Sequence, residues 1–265
     1  MVERMRYTFD VLIEVMARLR RPQDGCPWDM EQTHETLRQY LIEEAYEAVD
    51  AIDQGDMEKV TDELGDVLLQ VVFHAQVAKE HGEFDIGDVT TAICHKMITR
   101  HAHIFGDIVC ETPEDVVKSW EAIKKKEKGL RAQTDVMRDV PGHLPALMRA
   151  YKVQGKARQV GFDWDTAQEA LEKVYEEADE VKTELTAGAQ LEEEMGDLLF
   201  AAVNVSRLAG VQPELALGGA TEKFIRRFEK LEQAVQADGK QLKGMTLGEM
   251  DAYWDAVKAV ERKIK

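Results

Sequence analysis

Apolar residues recur at helical spacing along nearly the whole chain. Between Phe9 and Leu19, the positions Val11, Leu12, Val15, Met16 and Leu19 fall on one stripe and predict a helix. Two prolines and a glycine in Arg21-Pro22-Gln23-Asp24-Gly25-Cys26-Pro27-Trp28-Asp29 forbid its continuation. The period resumes at Leu37 and runs through Leu41, Ala45, Ala48 and Ile52, with Gly55 as the closing cap. A further helix buries Val60, Leu64, Val67, Leu68, Val71, Val72 and Ala75 and ends near His81-Gly82. Another is expected from about Val89 to His101. The next opens at Thr112-Pro113-Glu114-Asp115, contains Trp120 and ends in Lys124-Lys125-Lys126-Glu127-Lys128-Gly129. No stretch alternates with a period of two over a useful length, so the fold class is all-α.

The order then repeats. Leu144 to Val160 corresponds to the first helix, and Gly161-Phe162-Asp163-Trp164-Asp165 corresponds to Gly25-Cys26-Pro27-Trp28-Asp29. Two more helices follow, separated by Gly188, then one from about Pro213 to Ala237, an Asp238-Gly239 turn, and a last helix with the capping-box spacing Thr246 to Glu249. The organisation predicted is a first domain over 1–130, a linker over 131–144 containing Pro141 and Gly142, and a second domain over 145–265.

Into these apolar patterns the chain sets carboxylates. The first copy has Glu43-Glu44-Ala45-Tyr46-Glu47 and Glu63-Leu64-Gly65-Asp66; the second has Glu176-Glu177-Ala178-Asp179-Glu180 and Glu192-Glu193-Glu194-Met195-Gly196-Asp197. Residues three or four apart share a helix face, so Glu44 converges with Glu47 and Glu63 with Asp66. A single E-x-x-E is ordinarily a solvated surface. Two such pairs on one antiparallel hairpin, twice in the chain, point instead to a site, because buried carboxylates without cations are costly or become protonated. An all-oxygen donor set suits Mg²⁺, with Mn²⁺ as the other option. The rival in a helix bundle, a di-iron centre, needs two E-x-x-H motifs. Only Glu31-Gln32-Thr33-His34 has that spacing, and it lies ahead of the acidic helices. His101 and His103 lack a nearby third ligand in sequence and fit a surface or packing role.

Charge narrows the substrate. Against 34 Lys plus Arg stand 51 Asp plus Glu, a net charge of −17, which opposes binding to nucleic acid polymers and to anionic membranes. A single nucleotide differs, since bound metal and a few local cations dominate at short range. Lys96 with Arg100, and Lys223 with Arg227, are i,i+4 pairs downstream of each acidic hairpin, and beyond them lie Trp120 with Lys124 and Trp254 with Lys258. Each feature alone is a common surface or core pattern. Carboxylates for metal, cations for phosphate oxygens and an aromatic face for a base together describe a nucleotide site. With no glycine-rich phosphate loop, phosphate binding falls to metal and side chains. The copies differ one turn ahead of the acids, where the second has Lys173 and the first Tyr40. The second copy is therefore expected to be the stronger catalyst, and the first weaker, regulatory or structural.

Cys26, Cys94 and Cys110 are odd in number and show no C-x-x-C spacing, so a reducing cytoplasm is expected. The opening Met-Val-Glu-Arg-Met-Arg carries charges where an export signal would be apolar, and no apolar run approaches the ~20 residues of a membrane span.

The motifs Glu43-Glu44-Ala45-Tyr46-Glu47 with Glu63 and Asp66, repeated at Glu176 to Glu180 and Glu194 to Asp197, resemble those of the MazG nucleoside triphosphate pyrophosphohydrolases. The two-copy layout with Gly-Cys-Pro-Trp-Asp near its start is similar to the full-length bacterial members, so the resemblance covers nearly the whole chain. It implies helical domains whose four-helix bundles are completed by homodimerisation, and Mg²⁺-dependent hydrolysis of NTPs and dNTPs to monophosphate and pyrophosphate. It further implies Glu177, Glu180, Glu194 and Asp197 as metal ligands, with Glu44, Glu47, Glu63 and Asp66 as their counterparts. Lys173, Glu176, Glu193, Asp197, Lys223, Arg227, Trp254 and Lys258 would then contact the substrate, the cations at phosphate and Trp254 at base or ribose. Glu176, beside the ligand Glu177, is the candidate to orient or deprotonate the attacking water, with a further ligand or an exposed side chain as alternatives. A narrow dUTP- or dCTP-type hydrolase and a non-enzymatic, nucleotide-binding regulatory dimer are the competing readings.

Overall fold

The computed structural model describes residues 6–264, which form helices α1 to α13 joined by turns. The charged opening over residues 1–5, part of the reading against an export signal, lies outside the described residues. Two compact units divide at Lys124 and Lys125.

The first unit is built from α1 (Phe9–Leu19), α2 (Pro27–Glu31), α3 (His34–Gln54), α4 (Met57–Glu80), α5 (Ile86–Arg100), α6 (Ala102–Phe105) and most of α7 (Pro113–Glu127). The proline-rich turn after α1 is not wholly irregular. Pro27 occupies the first turn of α2, where its missing N–H is no loss. Gly25 is required just before it, since a side chain there would collide with the backbone oxygens of Leu19 and Arg21. Helix α3 starts at Thr33, whose hydroxyl accepts from the Thr36 amide, and ends at Gly55 in the left-handed region with φ of 71°. That reversal lays α4 antiparallel on α3, and α1 packs against α4. Met16, Leu37, Val72, Phe73 and Val77 form the core here, with Leu12, Ile13, Leu19, Tyr40, Leu69 and Ile86 packed around them. Arg20 ties the turn down: its guanidinium donates to both Glu80 carboxylate oxygens and to the Asp29 and Gln32 carbonyls.

The second unit follows the same plan through α8 (Gln133–Arg138), α9 (Ala146–Arg158), α10 (Ala167–Ala187), α11 (Leu191–Leu208), α12 (Pro213–Ala237) and α13 (Leu247–Ile264). The stretch expected to be linker, 131–144, contains α8, which packs on α9. Thr166 caps α10 in a full capping box with Glu169, and Gly188 with φ of 75° turns the chain into α11. The hairpin α10–α11 rests on α9. Beyond it α12 pairs with α13 over Leu231, Val235 and Val257. Arg207 plays the part of Arg20: its buried guanidinium is ion-paired to Asp163 and donates to the Asn204 side-chain oxygen.

The acidic hairpins as a candidate metal and nucleotide site

Both hairpins gather their acids. Glu44 on α3 meets Glu63 and Asp66 on α4, and Glu177 on α10 meets Glu194 and Asp197 on α11, with one oxygen of each acid within 4.8 Å of the others in its trio. The antiparallel hairpin is the cause. One turn of α3 or α10 faces one turn of its partner, and acids at i and i+3 on the second helix close on the acid of the first.

The fourth expected acid in each copy lies at the edge of the trio. Glu180 is exposed, and its carboxyl is pushed above the ordinary range first by desolvation and then by the nearby Glu177 and Glu194. Glu47 is also exposed and adds its charge to the field on Glu44. The Glu44 carboxyl is raised as well, first by desolvation and then by Asp66, Glu47, Glu63 and Glu43. In both copies the crowded carboxylates raise one another, as closely spaced like charges do.

The second copy has a cation of its own beside the acids. Lys173 Nζ lies 2.6 Å from Glu177 Oε1 and 2.8 Å from Glu176 Oε1, and these contacts raise the lysine above its ordinary value, the Glu176 hydrogen bond being the larger cause. Glu177 is 5% exposed and its second oxygen, Oε2, is buried without a hydrogen-bond partner. A buried carboxylate oxygen left unmatched beside Glu194 and Asp197 fits a hard divalent ion. Glu176 and Glu193 stand exposed on the same two helices, Glu193 accepting from the Gln190 side chain at 3.3 Å.

The downstream groups are engaged elsewhere. Arg227 donates through Nε to Glu261 at 2.8 Å, Lys258 pairs with Asp255 at 2.8 Å, and Lys223 is exposed on α12. Trp254 packs on the α12–α13 core, with Phe224 5.2 Å from its ring centre. In the first unit Lys96 is exposed on α5 and Trp120 stacks edge-on with His101 at 4.7 Å. Among the described residues, no hydrogen bond or ion pair joins Lys223, Arg227, Trp254 or Lys258 to the acidic trio.

Three features of the site and its surroundings come from the structure. The Lys173 contact to Glu177 was open to prediction, since the two are four apart on one helix. The Arg207–Asp163–Asn204 network had only the Asp163 turn as a hint. His34 and His74 stack with their Nδ1 atoms 2.7 Å apart, a meeting that only the α3–α4 pairing creates.

Fold and site define an α-helical class of proteins built on tandem helical hairpins, each of which gathers carboxylates at one point. The sequence signature of the MazG nucleotide pyrophosphohydrolase domain matches residues 32–105 and again 165–231, spanning both hairpins. The chain is 48% identical over 256 residues to the nucleoside triphosphate pyrophosphohydrolase of Escherichia coli strain K12, covering 95% of this chain and 97% of that protein. It is 46% identical over 250 residues to the nucleoside triphosphate pyrophosphohydrolase/pyrophosphatase MazG of Thermotoga maritima, covering 94% and 95%. The chain belongs to the MazG family.

Proposed function

We propose that this protein is a nucleoside triphosphate pyrophosphohydrolase, a hydrolase that cuts between the α and β phosphates to release the monophosphate and pyrophosphate. The observation that carries the reading is the second-unit trio, where buried Glu177, with one oxygen unmatched, stands beside Glu194 and Asp197. Glu177, Glu194 and Asp197, with Glu180 at the edge, would hold Mg²⁺; Mn²⁺ would fit the same oxygens. Bound there, the ion supplies charge neutralisation and Lewis acidity at the phosphoryl group.

The remaining work falls to the chain's own groups. Lys173, already at the acids, would turn from Glu177 to a phosphate docked over them. Lys223 and Arg227 would neutralise the pyrophosphate as it leaves, Arg227 exchanging Glu261 for phosphate oxygens. Trp254 would offer its face to the base or ribose and Lys258 an outer phosphate contact. Glu176, exposed at the rim beside Glu177, would orient or deprotonate the attacking water, and Glu193 and Asp197 would border the substrate. The first-unit set of Glu44, Glu47, Glu63 and Asp66 would bind metal too, but with Tyr40 in place of the lysine it would be the weaker catalyst, or a regulatory or purely structural copy.

Assembly as a homodimer is part of this reading. Tyr46, Leu64 and Leu68 in one hairpin and Tyr175, Met195, Leu199 and Phe200 in the other are large apolar side chains left exposed. A second copy would cover them and turn each two-helix hairpin into a four-helix bundle. The free cysteines Cys26, Cys94 and Cys110 suit a reducing cytoplasm.

The test is pyrophosphate release from a panel of common NTPs and dNTPs, with and without Mg²⁺. Glu177→Gln should lower kcat by at least about 10²-fold while the helical circular-dichroism signal survives. Normal turnover in that variant, or no metal-dependent release with any nucleotide, overturns the reading.

A further inference from the structure

The two acidic trios are alike in composition but differ in what already sits on them. In the second unit the Lys173 ammonium lies 2.6 Å from Glu177 Oε1 and 2.8 Å from Glu176, so an internal cation occupies one edge of the trio. The Lys173 side chain is 35% exposed, free to swing outward, whereas that of Glu177 is 6% exposed and cannot follow it. In the first unit the corresponding residue is Tyr40. Its ring turns the other way, edge-on to Trp28 at 5.9 Å and packed on the buried Met16 cluster, leaving Glu44, Glu63 and Asp66 without such a lysine.

An ammonium and a divalent ion at one carboxylate repel each other, and the repulsion is strong where water is partly excluded. We propose that Lys173 is an intramolecular counter-cation that competes with the divalent ion for the second trio. In the nucleotide-free protein the first trio then holds metal tightly. The second loads fully only when a polyphosphate draws Lys173 off Glu177. A triphosphate offers the ammonium oxygens to exchange for those it leaves, so its binding and metal binding favour each other to the same degree. Free metal alone would not arm the second unit; metal with nucleotide would. Lys173 thus acts on both the Glu177 carboxylate and the incoming phosphate. The inference rests on the metal-binding reading given above and adds to it an order of loading.

The experiment is a titration of the intact, nucleotide-free protein with Mn²⁺, following free Mn²⁺ by its electron paramagnetic resonance signal. Two classes of site are expected, the tighter lost in Glu44→Gln and the weaker in Glu177→Gln. Lys173→Met should tighten the weaker class on the order of tenfold, and a non-hydrolysable α,β-methylene triphosphate should then tighten it by a smaller factor than it does in the wild type. Lys173→Arg, which keeps the cation, should behave as the wild type. Tyr40→Lys should weaken the tighter class. Thermal melts of each variant confirm that the fold is kept. A weaker class unmoved by Lys173→Met, or one lost in Glu44→Gln instead, overturns the proposal while leaving metal binding intact. Failure of the wild type to bind Mn²⁺ at all, with or without nucleotide, overturns the metal reading and this inference with it.

Discussion

Glu44 shows what a single residue contributes to a site at a cost to the fold. Its folded carboxyl is raised above the ordinary 4.5, with desolvation the first cause and neighbouring acids the next. A raised carboxyl is fully stabilising below its unfolded value and loses that contribution as pH climbs through the folded one. At neutral pH the metal-free protein therefore bears an ionised group it would hold more easily as an acid. Glu44→Gln should melt higher than the wild type at pH 7 in EDTA, with the gap closing toward pH 4 and also closing when Mn²⁺ is added. Thermal melts at the two pH values check this; a variant that melts lower at pH 7 would contradict it. Arg207 represents the opposite case. Its side chain is 5% exposed and that of Asp163 11%, so each is the other's condition for burial. Arg207→Met should lower stability by about 3–5 kcal/mol in urea unfolding, with Asp163→Asn in the same chain restoring part of the loss.

At the level of elements, the hairpin aims the acids, and its geometry rests on its caps and turn glycines. Thr166 and Glu169 fix where α10 begins, and Gly188 fixes where it reverses. Thr166→Ala should cost about 1 kcal/mol. Gly188→Ala should cost about 1–2 kcal/mol, purely from the left-handed backbone, because a Cβ there would meet nothing within 4 Å. Both losses should appear in denaturant melts, and the Gly188 variant should also weaken metal binding at the second trio, since the register of α11 against α10 depends on that turn. The long helices were legible from apolar period and caps. Short α2, α6 and α8 were not, since four to six residues cannot display a period.

For the whole molecule, the net charge of −17 and the exposed apolar residues on the hairpins bear on assembly together. Like charges oppose association in general, and in the proposed assembly the apolar faces would draw one specific pair together. The protein should sediment as a dimer at micromolar concentration, and Leu199→Glu should shift it toward the monomer. Divalent ions should raise its melting temperature more than an equal ionic strength of NaCl, since on the proposed reading they would bind the trios directly as well as screen the general field. Among the described residues, no helix is long and apolar enough to cross a membrane.

The sequence by itself determined the all-α class, the duplication, and the acids at i and i+3 on adjoining helices, since all three depend on local period and spacing, which chain geometry enforces without reference to distant residues. Tertiary packing decided the rest. It buried Glu177 while leaving Glu180 at the edge, brought His34 to His74, and turned Tyr40 inward where Lys173 reaches the acids. Each of these is a meeting between helices or a choice of side-chain direction, and spacing along one strand of text carries no information about which neighbour a face will find.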